Sequence, residues 1–348
     1  IEEMNLAAEK RRARVLPGIF ALIAIFIGGG AGFQALAQQQ NNQTTKPTIS
    51  SAEEKAAKKI EEAKTLDEKI KATGDFVNKY PKSALRPRLA DFIAGQILQT
   101  NDPQQIAAKS EAYFAVFNEP AESDLILPNL INAYINLKRH KEAFAAAEKY
   151  LARSPEDVTV RLQLAVEGSN LLRTGTKDYA APSRVYAVKA VELIEANKRP
   201  ANIEEAGWKE YQIKWLPQLY QTLGFLDFYA GDRKSAQANF EKTLALNPKD
   251  VNSLVLLGSM QNDDYQDIAR KHTAASPGPE RDALLKQASD KMDKVIEIYA
   301  RVVALTDGDP NAKTLNAQIR EDLEAYYKFR NKNSTAGLQQ LIDKYKNQ

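Results

Sequence analysis

The chain has 348 residues, 43% of them hydrophobic, enough to bury a sizeable core. Its 48 basic and 45 acidic residues leave a net charge of +3 and are spread along the whole length, which gives no electrostatic footprint for nucleic acid. Cysteine is absent, and with it disulfides, thiolate catalysis and every cysteine-based metal site.

Lys10, Arg11, Arg12 and Arg14 precede an uncharged run from Val15 to Phe33, and Gln34-Ala35-Leu36-Ala37 follows. A basic end, an apolar middle and an Ala-x-Ala close have the order of a secretory signal peptide, with Ala35 and Ala37 setting cleavage after Ala37. A run of about 19 residues is also long enough to span a bilayer as an uncleaved anchor, so residues 15–37 would then hold the chain to a membrane. Both readings stay open. In either, the basic flank stays cytoplasmic and the remainder is exported, to the periplasm, the exterior or the outer face of the inner membrane. Gly28, Gly29, Gly30 and Gly32 lack the flanking strand and helix of a nucleotide loop. Residues 1–37 are therefore a targeting or anchoring element, and 38–50, QQQNNQTTKPTIS, a disordered polar linker. Within it Asn42-Gln43-Thr44 fits a glycosylation acceptor pattern.

Ordered structure is expected from Ser51, where Ser51-Ala52-Glu53-Glu54 has the form of a capping box. Thr65-Leu66-Asp67-Glu68 offers a second box, which divides the run to Tyr80 into two helices closed by Pro81. The alternating charge of EEKAAKKIEEAK is that of a solvated helix face, since apolar heptads are not sustained. Further helices follow at about 86–99 and 103–117, with Asn101-Asp102-Pro103 as turn and start signal. No alternating β-branched run occurs, so the body is all-α.

Residues 127–157 read as a helix-turn-helix, with Leu130 and Tyr134 in the first helix, Ala143 in the second and Pro155 as terminator. Leu164 lies one period of about 34 residues after Leu130. RTGTKDYAAP (173–182) interrupts before the helix containing Ala187, and ANKRPANIEEAG (196–207) leads to a helix with Trp208, Tyr211 and Trp215. Their spacings of three and four share one helical face. Such a face is a packing surface or, where exposed, an aromatic patch for a ligand.

Residues 217–250 are the most complete unit. Tyr220, Leu223 and Gly224 supply a large, an apolar and a small residue that lets a second helix approach; Gly231 makes the turn. Ala236 and Phe240, four apart, share one face of the second helix, and Pro248 stops it. This pattern resembles the tetratricopeptide repeat, W-x2-L-G-x2-Y, then A-x3-F, then P, with Tyr220 in place of the Trp and Asp227 in place of the Tyr. Leu257 and Gly258 fall one period after Leu223 and Gly224. Past them, helix continues towards Thr273, AASPGPE (274–280) turns, and a second long helix at about 281–305 gives a pair expected to protrude. Asp307-Gly308-Asp309-Pro310 closes it without the ligand spacing of a calcium loop. A helix to about Arg330 and a polar one at 334–348 cap the end.

The resemblance implies a right-handed superhelical solenoid of helix-turn-helix repeats, akin to tetratricopeptide proteins of the bacterial envelope, preceded by the signal or transmembrane helix. Its parts would be 51–123 as N-terminal helical repeats, 124–250 as the clearest repeats with an insertion at 173–207, and 251–348 as a long-helix pair with capping helices. It implies a groove along the first helices that takes a protein or peptide partner. Mapped onto this chain, the groove positions are Asn129, Asn132 and Asn136, then Val166 and Asn170, then Phe225 and Phe228, then Asn262. Pro128 replaces the first lysine of the family's carboxylate clamp, which disfavours capture of a free C-terminus by that route.

The only histidines, His140 and His272, lie in different units, so neither a histidine metal site nor a serine-histidine triad is expected. His140, in LKRHKEA, is expected to be solvated. With no nucleophile elbow, dinucleotide loop or zinc-protease motif, the chain reads as no enzyme, with no cofactor and no metal. The expected function is a non-enzymatic interaction scaffold or adaptor. The alternative is a structural subunit of a membrane-bound or extracellular complex, held by an uncleaved N-terminal helix.

Overall fold

The computed structural model describes residues 49–201 and 203–346, and the expected signal or anchor segment, its cleavage site and the glycosylation triplet lie outside them. Among the described residues the structure is all-α, with no strand. Two compact units divide it, one of residues 49–167 with 196–201, the other of Gly168–Glu195 with Ile203 onward.

In the first unit α1 (Ser51–Glu62) begins one residue earlier than the sequence suggests, because Ser50 is the cap. The sequence SSAEE contains two overlapping boxes. Ser50 takes the extended conformation, its Oγ accepts from the Glu53 N–H at 3.3 Å, and Glu53 accepts from the Ser50 N–H at 2.8 Å. The earlier box wins one more helical residue. Thr65 and Glu68 form the expected box on α2 (Leu66–Lys79). α3 (Arg86–Leu98) and α4 (Pro103–Val116) fall where Pro and Asp signals place them, with Asp102 capping through the Gln104 N–H. A five-residue helix not expected from the sequence, α5 (Pro120–Asp124), follows. Then come α6 (Leu127–Asn136), α7 (His140–Leu151) and the start of α8 (Val158–Arg173). Ile60, Phe76, Ile93, Ile97, Tyr113, Phe117 and Ile126 make one core beneath α1–α4. α4 packs on α6, and α6 on α7.

In the second unit α9 (Ala180–Glu195) packs on α10 (Glu205–Tyr229), α10 on α11 (Arg233–Leu246), α11 on α12 (Val251–Ala274), and α12 along α13 (Pro279–Thr306). A 3-10 turn (Pro310–Ala312) leads to α14 (Lys313–Arg330) and α15 (Leu338–Lys346), and both pack on α13. The Trp-bearing helix and the first helix of the repeat at 217 are one element: α10 runs through Pro217 as one helix of 25 residues. Pro217 offers no N–H to the carbonyl of Ile213 one turn earlier, and Ile213 is exposed. Likewise the expected interruption at 173–182 shrinks to residues 174–179.

Two glycines set helix spacing as expected. A Cβ on Gly224 would stand 2.6 Å from the Phe240 ring, and one on Gly258 would stand 2.8 Å from Tyr299, so each glycine admits an aromatic ring from the facing helix. Phe240 is fully buried, which contributes about 1.5–3 kcal/mol of hydrophobic stabilisation. Gly231, at φ +83, makes the turn between α10 and α11. The long α12–α13 pair protrudes less than its length suggests. Tyr265 and Ala269 of α12 and Met292 of α13 are buried, and Tyr265 meets Tyr326 of α14 edge to face at 5.9 Å.

Candidate functional site

A cleft of about 430 Å³ opens in the first unit. Phe114 of α4 and Leu127, Leu130 and Tyr134 of α6 form its apolar wall; Glu142, Ala146, Lys149 and Arg153, on or just beyond α7, form the facing side. Leu127, Leu130 and Tyr134 recur at three and four residues, so they share one stripe of α6. Arg139 lies over the Tyr134 ring at 4.5 Å, and burial pushes the Tyr134 hydroxyl above its ordinary value. Arg153 is held by both carboxylate oxygens of Asp124, which ties the end of α5 to the far side of the cleft. The wall is apolar and the rim carries both charges.

The expected groove positions lie elsewhere on the same helix. Asn129, Asn132 and Asn136 follow the cleft stripe by two residues, which turns them about 200° around α6. Asn129 and Asn132 are half-buried and Asn136 is exposed. Val166 is half-buried on α8, also in the first unit. His140 is not solvated as expected. Its Nδ1 stands 3.0 Å from Glu167 Oε1, both side chains mostly buried, because its place at the first turn of α7 faces α8. Burial pushes the Glu167 carboxyl up, and His140 pulls it back down.

In the second unit Asn170 is half-buried near the end of α8. Phe225, expected to line a pocket, is 1% exposed. Its ring is covered by Arg173 at 4.5 Å and packs on Tyr229 at 4.6 Å. Phe228 is partly buried against the main core and meets Tyr229 at 5.7 Å. Asn262 is not free for a peptide backbone: its Oδ1 accepts from the Tyr326 hydroxyl at 2.8 Å. Burial pushes Tyr326 up to about 12, which keeps that proton in place. The aromatic patch is inward: Trp208 is 1% exposed and Trp215 is buried, with Tyr211 stacked on Trp208 at 5.4 Å and tilted to Trp215 at 6.1 Å. That column is packing, and it presents no open Trp208 face to a ligand.

The repeat-defining residues behave as packing residues. Leu130, Tyr134, Ala143, Tyr220, Leu223, Ala236, Phe240 and Leu257 are all buried, whereas Pro155 and Pro248 sit in exposed turns. Three contacts are not legible in the sequence. Gly168, one period after Tyr134, brings α8 within contact of Ser183. Asp227, where the repeat expects Tyr, is fully buried and joins Arg184 and Asn239. Arg173 stands over Phe225. Charged clusters elsewhere are internal clasps: Asp264 accepts from Lys291 at 2.7 Å and Arg233 at 3.1 Å. Burial raises its pKa, but the two cations outweigh burial and hold it below its ordinary value. Among the described residues no group of His, Asp and Glu could hold a metal ion, and no helix is long and apolar enough to cross a membrane.

No family model matches the chain, and no curated protein matches it. Among solved structures, it is similar to the crystal structure of a tetratricopeptide repeat protein from Parabacteroides merdae, at 13% identity and a TM-score of 0.33, over 77% of this chain and 96% of that one.

Proposed function

We propose that the chain is a non-enzymatic interaction scaffold, a tetratricopeptide-like right-handed solenoid exported from the cytoplasm, whose first unit seats a segment of a protein partner in the cleft beside α6. One observation carries the reading: the cleft of about 430 Å³ with an apolar wall of Leu127, Leu130 and Tyr134 and a rim of Glu142, Lys149 and Arg153. Such a site suits an apolar anchor side chain flanked by polar groups, the layout of peptide recognition by helical repeats. Filling the cleft tests it. A photo-crosslinker at Lys149 should yield one discrete adduct in cells of the source organism, and Ala146→Trp should abolish it. An adduct that survives Ala146→Trp overturns the cleft as the seat.

The uncharged run from Val15 to Phe33 supports a second reading, a subunit fixed in a membrane-bound complex. Intact mass separates the two. A soluble species beginning at Gln38 fits a cleaved, diffusible scaffold. A full-length species released only by detergent fits the anchored subunit.

A further inference from the structure

Asp307-Gly308 is the only aspartate-glycine pair in the chain, and no asparagine-glycine pair occurs. It forms the corner between α13 and the 3-10 turn. Asp307 closes α13 at φ −67 and ψ 125, Gly308 follows at φ +81, and the Asp309 N–H donates to the Thr306 carbonyl at 3.3 Å. These are the angles of a type II turn, whose third position calls for glycine. Glycine also leaves the amide nitrogen unshielded, and even a Cβ built on Gly308 would meet nothing within 4 Å. An open amide nitrogen directly after a carboxyl side chain is the arrangement from which aspartate isomerises.

The carboxylate is gripped. Lys346, in the last turn of α15, donates to its Oδ2 at 2.5 Å, and an Arg320 nitrogen of α14 stands 3.7 Å from Oδ1. The Lys346 hydrogen bond, with the charges of both cations, holds the Asp307 carboxyl below its ordinary value. The Asp307 side chain is still 42% exposed, and an exposed pair adds little to stability. α15 has its own seat through buried Leu338, Ile342 and Tyr345, and the Tyr345 hydroxyl donates to Glu297 at 2.9 Å. Lys346 therefore restrains one carboxylate more than it holds the helix.

We propose that Asp307-Gly308 is a modification site, a place of spontaneous isomerisation to isoaspartate that the Lys346 grip holds latent. In the first step the Gly308 nitrogen attacks Asp307 Cγ. A C–N bond forms, the carboxyl C–O bond breaks, and the hydroxyl leaves as water with the amide proton. Water then adds to the Asp307 α-carbonyl of the resulting succinimide, the C–N bond at that carbon breaks, and the chain continues through Cβ and Cγ with a free α-carboxylate. No oxidant or cofactor is consumed. Two features oppose the first step. An ionised carboxylate lacks the hydroxyl that must leave, and ring closure needs the Gly308 nitrogen on the Cβ side of Asp307, a rotation away from ψ 125 that opens the hydrogen bond of the turn. Isomerisation would add a methylene to the corner and carry the carboxylate away from Lys346 and Arg320. The mid-chain α-carboxylate it leaves suits one class of enzyme, a carboxyl methyltransferase selective for isoaspartate.

The test incubates the full-length chain at neutral pH and follows the proteolytic peptide that carries Asp307. Aspartate and isoaspartate have equal mass, so the two forms are separated by chromatography and identified by fragmentation across the Cα–Cβ bond. A synthetic peptide of residues 303–313 gives the unrestrained rate. Wild type should isomerise well below that rate, and Lys346→Ala should raise it severalfold. Lys346→Arg, which keeps a cation, should stay near wild type. Lys346 also lies 3.8 Å from Asp343, so Asp343→Ala removes another contact of the same lysine and leaves Asp307 gripped; its rate should match wild type. Wild type as fast as the free peptide, or Lys346→Ala no faster than wild type, overturns the proposal. Equal acceleration by Asp343→Ala overturns it too, since loosening of α15 rather than the grip on Asp307 would then set the rate.

Discussion

Arg184 on α9 donates its Nε–H to Asp227 on α10 at 2.5 Å, and Asp227 is fully buried whereas Arg184 remains 44% exposed. Asn239 on α11 donates to the other carboxylate oxygen at 2.9 Å, so three helices meet on one side chain. The two partners are unequal. Removing Arg184 strands a buried carboxylate, whereas Asp227→Asn keeps shape and removes the charge. Arg184→Ala should therefore cost about 3 kcal/mol, and Asp227→Asn about 1 kcal/mol. Chemical denaturation of both variants checks the order, and an equal or reversed cost would show that Asn239 alone satisfies Asp227.

Gly224 and Gly95 should respond to alanine with opposite signs. Both sit inside helices, where alanine gains about 0.5–1 kcal/mol over glycine. At Gly95 an added Cβ meets nothing within 4 Å, so Gly95→Ala should raise the melting temperature. At Gly224 the Cβ would stand 2.6 Å from the Phe240 ring, which is fully buried and cannot retreat. Overpacking of about 1–3 kcal/mol outweighs the propensity gain there, and Gly224→Ala should lower it.

The features legible in the sequence are those fixed within one or two turns. Thr65 and Glu68, Asp102 before Pro103, and Gly231 at φ +83 all act locally, and Gly224 is found because its partner Phe240 lies within the same repeat. Features set by distant partners were not legible. Asn262 looks like a groove amide until Tyr326, 64 residues on, takes its oxygen. The register of the resemblance puts Phe225 in a groove, but Asp227, two residues on, turns its carboxylate to Arg184 on α9, and Phe225 is roofed by Arg173. The capping box slipped by one because SSAEE satisfies the pattern twice. Leu130 and Tyr134 are legible as packing positions of a first helix, but such a pattern does not distinguish a wall that is covered from one that is open.

His140 and Glu167 give the first unit a titratable contact between α7 and α8 at 3.0 Å. Glu167 ordinarily titrates near 4.5, and burial raises it above that, with His140 opposing. A raised carboxyl value means the folded state holds the proton more tightly than the unfolded one. Its stability contribution is thus present below about 4.5 and is lost as pH rises through the folded value. Glu167→Gln removes that loss. The variant should match wild type in acid and exceed it above the window, as followed by denaturation at stepped pH. A variant less stable than wild type at neutral pH would mean that the His140 contact outweighs burial.

Arg86 and Glu122 explain why a helix as short as α5 persists, and they link it to the cleft. Arg86 of α3 grips both oxygens of Glu122, at 2.5 and 2.9 Å, with both side chains largely buried. The same carboxylate accepts the Glu119 N–H at 3.1 Å, and the Tyr113 hydroxyl donates to the Glu122 carbonyl at 2.9 Å. Five residues cannot hold a helix by their own hydrogen bonds, so α5 depends on this tertiary grip. Pro120 and Ser123 of α5 line the cleft, and Asp124 holds Arg153 at its rim. Arg86→Met should cost about 3 kcal/mol by stranding Glu122. It should also speed amide hydrogen exchange across 119–125 more than across α6, and weaken crosslinking through Lys149 without touching the cleft wall itself. The double change Arg86→Met with Glu122→Leu removes the stranded charge and should recover most of the stability. If α5 protection stays low in that double variant while stability returns, the pair serves to position α5; if both return, shape alone holds it.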